Sequence, residues 1–162
     1  MNENEYNKSV EYYSDHLYRF ILKNSRERDH ASDIVQSAFE VLWERKDDVE
    51  FDKAKSFLFA VGYKKMIDDF RKSSKMKYTE QLPESHGGTT ETKQVDLKRL
   101  LHDALGKLPD LQKQLVLLKD YEGYSYEEMA GITGLNEGQV KITLYRARTS
   151  LKNALISIEN TI

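Results

Sequence analysis

The chain has 162 residues, 39% of them hydrophobic and 32% charged, with a net charge of −2, two prolines and no cysteine. That length permits one domain or two small ones, and scarce helix breakers among many charges favour helices over a barrel or sandwich. Disulfides, thiolate chemistry and cysteine-ligated metal are excluded, and no apolar run reaches the ~18 residues of a membrane span.

Three helical stripes occupy the N-terminal part. Val10, Tyr13, Leu17, Phe20 and Ile21 recur at three-and-four spacing. Ala31, Ile34, Val35, Ala38, Phe39 and Leu42 do the same, ending at Trp43, and Phe57, Ala60, Val61, Tyr63, Ile67 and Phe70 form the third. The charged run from Glu44 to Lys55, with Val49 and Phe51 inside it, predicts a loop between the second and third helices. The polar stretch Glu80 to Thr92, holding Gly87-Gly88, predicts a flexible linker, because a structureless run of that length is unusual inside one compact domain. The expected organisation is all-α: a small helical domain over 1–77, a linker over 78–95, and a second helical domain over 96–162.

In the second domain, Leu97, Leu100, Leu101, Ala104, Leu105 and Leu108 make one stripe, stopped by Pro109. Pro109 suits the first turn of the next helix, which carries Leu111, Leu115, Leu118 and Tyr121 and ends at Gly123. Ser125 and Glu128 fit a capping box for a short helix with Met129, Ala130 and Ile132, stopped at Gly134. Asn136 and Gln139 fit a second box, opening a longer helix with Val140, Leu144, Ala147, Leu151 and Leu155 inward. Two capped helices at a glycine turn predict a helix-turn-helix. Its second helix would present Glu137, Gln139, Lys141, Thr143, Tyr145, Arg146 and Arg148 outward, a set suited to a DNA major groove.

Charge is unevenly distributed. Lys64, Lys65, Arg71, Lys72, Lys75 and Lys77 stand against Asp68 and Asp69 alone, and Lys141, Arg146, Arg148 and Lys152 against Glu137 alone. Two basic segments on an otherwise acidic chain point to two phosphate-facing surfaces. Asp68 and Asp69 are neighbours about 100° apart on a helix, so they do not converge on one ion; ion pairs with nearby lysines and arginines are expected. His16, His30, His86 and His102 lack metal-ligand spacing, and neither a phosphate-cradling glycine loop nor a nucleophile elbow occurs. No catalytic residue, metal, cofactor or small-molecule substrate is expected: the chain reads as a binding protein and not an enzyme.

Several motifs together resemble a known family. Leu105-Gly-Lys-Leu108-Pro109, Gln114 to Leu118, Tyr124 to Ala130, Gly138 to Lys141 and Leu144 to Arg148 resemble region four of the extracytoplasmic-function (ECF) sigma factors of RNA polymerase. Asp33-Ile-Val-Gln-Ser-Ala-Phe39 followed by Trp43, and Phe57 to Val61 running into Asp68 to Lys72, resemble region two of the same group. The resemblance covers roughly residues 10 to 155, in family order.

It implies a cytoplasmic promoter-specificity subunit that binds core RNA polymerase and promoter DNA. Asp33, Ile34, Val35 and Gln36 would dock on the β′ clamp helices; Asp33 and Gln36, three apart, share a helix face. The loop from about Arg45 to Ser56 would capture a flipped base of the −10 element, with Phe51, Phe57, Phe59 and Tyr63 the rings available to stack on it, several of which must be core. Lys64, Lys65, Arg71, Lys72 and Lys75 would contact phosphates around the melted strand. The helix-turn-helix would read the −35 element and touch the β flap. Many members of the family are held by an anti-sigma factor, often membrane-anchored, which makes such a protein a further expected partner. One departure stands out: Ile142-Thr143 occupies a place where many members carry Ser-Arg, so −35 contacts of unusual character are expected.

Overall fold

A computed structural model of the chain describes residues 1–76 and 97–160, and every helix and turn below belongs to that set. The predicted linker, 78–95, lies outside the described residues. α1 (Glu3–Ser25), α2 (Arg28–Glu44) and α3 (Ala54–Met76) form the N-terminal unit. α1 begins on a capping box that apolar periodicity does not signal: Asn2 Oδ1 accepts from the Glu5 N–H at 2.8 Å, and Glu5 Oε1 accepts from the Asn2 N–H at 3.0 Å. It ends at Arg26, which takes a left-handed φ of 62° and turns the chain directly into α2. That conformation costs a non-glycine residue about 1 kcal/mol, and the Arg26 guanidinium compensates by donating to the Gly106 carbonyl at 3.2 Å.

Leu17, Ile21, Ala31, Ile34, Ala38, Leu42, Leu58 and Met66 are fully or almost fully buried and make the core of the three-helix unit. Gly62 leaves room on α3 for side chains of the other two helices. A Cβ placed there would lie 3.0 Å from Leu17 Cδ1 and 3.7 Å from Ile34 Cγ2. The predicted α2–α3 loop contains two 3-10 turns, Lys46–Asp48 and Phe51–Lys53, pinned by buried Val49 between them.

The C-terminal unit comprises α4 (Leu97–Gly106), α5 (Asp110–Val116), α6 (Tyr126–Thr133) and α7 (Glu137–Asn160). Pro109 is the N-cap of α5 and not its first helical residue, a shift of one position from the prediction. α5 runs on into a π-helical turn, Leu117–Tyr121, in which the Glu122 N–H reaches back to the Leu117 carbonyl at 3.1 Å. Such an extra residue rotates the chain downstream of it. Here it delivers Tyr121, Glu122 and Tyr124 to the side that meets the N-terminal unit. Leu105, Leu115, Leu118, Met129, Ile132, Val140, Leu144 and Ala147 form the core of this unit, while Leu97, the first residue of the predicted stripe, is 69% exposed.

The two units share one continuous core. Phe59 is its hinge-pin: its ring packs against Phe20 of α1 at 5.5 Å and edge-on to Tyr124 at 5.4 Å. Aromatic pairs of this kind add about 0.5–1.5 kcal/mol each beyond their area. α3 therefore buries residues on two faces, one toward its own unit and one toward the other.

Candidate nucleic-acid interface

The helix-turn-helix is set by two caps and a glycine. Ser125 Oγ accepts from the Glu128 N–H at 3.1 Å, and Glu128 Oε1 accepts from the Ser125 N–H at 2.9 Å, so α6 starts where the sequence places it. Gly134 closes α6 with a φ of 79°, a conformation glycine enters without strain. Asn136 Oδ1 then accepts from the Gln139 N–H at 2.8 Å, and Gln139 Oε1 from the Asn136 N–H at 3.0 Å. Both helix origins are thus fixed by local chemistry.

From that origin Val140, Leu144 and Ala147 point inward. Glu137, Gln139, Lys141, Tyr145, Arg146 and Arg148 are exposed, as is Ile142, whereas Thr143 is half-buried at the flank. Two of the cations have partners within the unit. Lys141 Nζ lies 5.5 Å from the centre of the Tyr126 ring, which Lys119 Nζ also approaches at 4.9 Å. Arg148 Nη2 donates to Asp120 Oδ1 at 2.6 Å, a bond that pushes the guanidinium pKa up and ties this side chain to the π-turn.

On the N-terminal unit, Asp33 and Gln36 are exposed, and Gln36 Nε2 donates to Glu40 Oε1 at 3.4 Å. Their neighbours differ: Ile34 is 1% exposed and Val35 is half-buried against the core, so both anchor α2 and do not face outward with Asp33 and Gln36. Phe57 is half-buried, with the Arg45 guanidinium 6.0 Å from its ring centre. Lys64, Lys65, Arg71 and Lys72 are exposed along α3, and Lys75 lies in its last turn, where only the backbone is described. Asp69 pairs with Lys65 at 3.7 Å, as the spacing predicts, and also with His30 at 2.9 Å, which it does not.

Comparison with known proteins gives these surfaces a family. The family model for sigma-70 region 4 matches residues 98–151. The RNA polymerase sigma factor SigV of Bacillus subtilis is 31% identical over 135 residues, which cover 81% of this chain and 79% of that one. The chain belongs to the ECF sigma factors. The ECF RNA polymerase sigma factor SigM of Bacillus subtilis is similar at 28% identity over 144 residues, 86% of this chain and 88% of its own. Two solved structures share the fold. One is the sigma factor RpoE in complex with the anti-sigma factor NepR from Bartonella quintana, with a TM-score of 0.73 and 24% identity over 92% of this chain and 95% of that one. The other is CnrH in complex with the cytosolic domain of CnrY, with a TM-score of 0.67 and 24% identity over 96% and 90%.

This ECF sigma factor holds its two units together through polar and aromatic contacts that periodicity does not specify. Tyr63, predicted to face DNA, is 8% exposed, and its hydroxyl donates to Gln114 Oε1 at 2.8 Å in a buried setting. Burial pushes the phenol pKa up, with Arg71 opposing, so the hydroxyl stays a donor. Glu122 is the polar centre of the seam. His16 Nδ1 lies 3.1 Å from its Oε1, and Lys55 Nζ lies 3.6 Å from the same oxygen while donating to the Glu122 carbonyl at 3.3 Å. Beside it, Lys23 Nζ sits 4.1 Å from the Tyr121 ring centre; desolvation and Arg19 lower its pKa, with Glu122 opposing.

None of these pairs has a sequence signal, because each joins residues far apart in the chain. Among the described residues no cluster of three His, Cys, Asp or Glu could hold a metal ion, and no helix is long and apolar enough to cross a membrane.

Proposed function

We propose that the N-terminal unit docks on the β′ clamp helices through Asp33 and Gln36 and engages the −10 element through the Arg45–Ser56 loop, Phe57 and the cations Lys64, Lys65, Arg71, Lys72 and Lys75. The C-terminal unit reads the −35 element with α7 and meets the β flap. This sigma factor works by binding, with no catalytic centre, cofactor or small-molecule substrate. The observation that carries the reading is the outward face of α7, exposed over its first three turns behind a doubly capped glycine turn.

Promoter binding requires the seam to open. The −10 and −35 elements lie about 25 base pairs apart, or about 85 Å at 3.4 Å per pair. A compact chain of this length has a radius of gyration of about 15 Å, so the closed form cannot touch both. Segment 77–96 has a fully extended contour of about 70 Å, enough for the units to separate along the duplex. Opening would also uncover Tyr63 and Phe59. An anti-sigma factor, membrane-anchored or not, would act by holding the closed pair; the solved sigma factor RpoE, itself in complex with the anti-sigma factor NepR, supports a partner of that kind.

The test is gel-filtration co-elution of the full chain with core RNA polymerase, followed by run-off transcription. Wild type is expected to co-elute and initiate from a promoter. Asp33→Arg with Gln36→Ala is expected to lose co-elution at unchanged helicity, and retained binding would refute this docking face.

A further inference from the structure

The middle of the α7 reading face has an uncommon chemistry. Gly138, Lys141, Ile142 and Tyr145 follow three-and-four spacing and are all exposed. Gly138 presents bare backbone, and an added Cβ there would meet only Asn136 Oδ1, at 3.3 Å. Lys141 is drawn sideways toward the Tyr126 ring. What remains in the centre is Ile142, 51% exposed, with Tyr145 beyond it at 72%. Its inward neighbours, Val140 and Leu144, are buried, so Ile142 is not a core residue that slipped outward.

Guanine and adenine are read in the major groove by donors and acceptors such as Arg, Lys, Asn and Gln. Ile142 has neither. Only one group on a base edge in that groove rewards an aliphatic side chain, the C5 methyl of thymine. Gly138, one turn earlier on the same face, adds no side chain that would hold the helix away from the base edges.

We propose that Ile142 is a specificity-determining residue that selects thymine at one position of the −35 element by packing on its C5 methyl. The Tyr145 ring, 72% exposed, extends that apolar strip. The proposal rests on the −35 reading above and adds the base and the atom that are recognised.

The experiment uses the full chain with core RNA polymerase. Duplexes with a randomised −35 segment are selected for binding, and each thymine in the selected motif is then replaced by deoxyuridine, which deletes the methyl and leaves every hydrogen-bonding group. At one position the replacement is expected to weaken binding about fourfold, the weight of one buried methyl-sized group. Ile142→Ala should bind the thymine duplex about fourfold more weakly and no longer distinguish thymine from deoxyuridine, while Ile142→Val should keep the distinction. Alanine at an exposed helix position does not threaten folding. A motif without thymine, deoxyuridine tolerated at every position, or an Ile142→Ala chain that still discriminates would each overturn the proposal. A selection that returns no −35 preference at all would instead overturn the −35 reading, and this inference with it.

Discussion

The Tyr63 hydroxyl donates to Gln114 Oε1 at 2.8 Å inside the seam, joining α3 of one unit to α5 of the other. Each member is buried, so each needs the other. Tyr63→Phe keeps the ring and strands the Gln114 carbonyl oxygen, which should cost about 1–3 kcal/mol. Urea denaturation would read the loss, and energy transfer between labels on α1 and α7 would show a larger open fraction. Tyr63→Phe with Gln114→Leu should recover most of the stability, because removing both polar partners leaves nothing unpaired. If the ring alone matters at the −10 element, Tyr63→Phe should still initiate transcription.

Glu122 accepts interactions from His16 and Lys55 and is itself only 10% exposed at its side chain. Glu122→Ala leaves Lys55 facing the Phe59 and Tyr124 rings without its carboxylate. Removing one partner of a shielded pair weakens a structure more than an exposed pair would. Small-angle scattering of the free variant should give a larger radius of gyration than wild type. An unchanged value would show that the apolar part of the seam suffices for closure.

The α6 cap gives a pH-dependent prediction. The hydrogen bond from the Ser125 backbone N–H, assisted by the Ser125 hydroxyl, holds the Glu128 carboxyl below the ordinary carboxylate range, against a smaller opposing effect of burial. A depressed folded pKa stabilises the fold fully above the ordinary glutamate value, and that stability is lost as pH falls through the depressed value. Ser125→Ala should cost about 1 kcal/mol at neutral pH. Glu128→Gln keeps the reciprocal cap and should remove this part of the acid sensitivity. Thermal melts across the acid range would separate the two.

Gly62 on α3 faces Leu17 of α1 and Ile34 of α2. Gly62→Val would drive a branched side chain into Leu17, which is completely buried and cannot swing away. Overpacking of this kind typically costs 1–3 kcal/mol, so a loss of about 2 kcal/mol is expected in denaturant unfolding. Pairing it with Leu17→Ala should return part of that loss by opening space.

Local chemistry alone settles much of this protein. The caps at Ser125 and Asn136, the glycine stop at Gly134, and the inward stripe of Val140, Leu144 and Ala147 each depend on residues a few positions apart, and each forms as the spacing predicts. So do the three N-terminal helices, with a loop between α2 and α3, although the two 3-10 turns inside that loop carry no such signal. The third stripe is where periodicity falls short. It names Phe57, Ala60, Val61, Ile67 and Phe70, which are half-buried, alongside Tyr63, which is buried, and omits Leu58, Phe59 and Met66, which are completely buried. A helix covered on two sides has no single apolar stripe to detect.

Only the tertiary structure decided that the two units close on each other, that Tyr63 meets Gln114, and that Glu122 takes His16 and Lys55. These partners lie 51 to 106 positions apart. A single hydrogen bond between them is worth too little to leave a mark in local composition, and they meet because the apolar faces of α3 and the C-terminal unit are buried together.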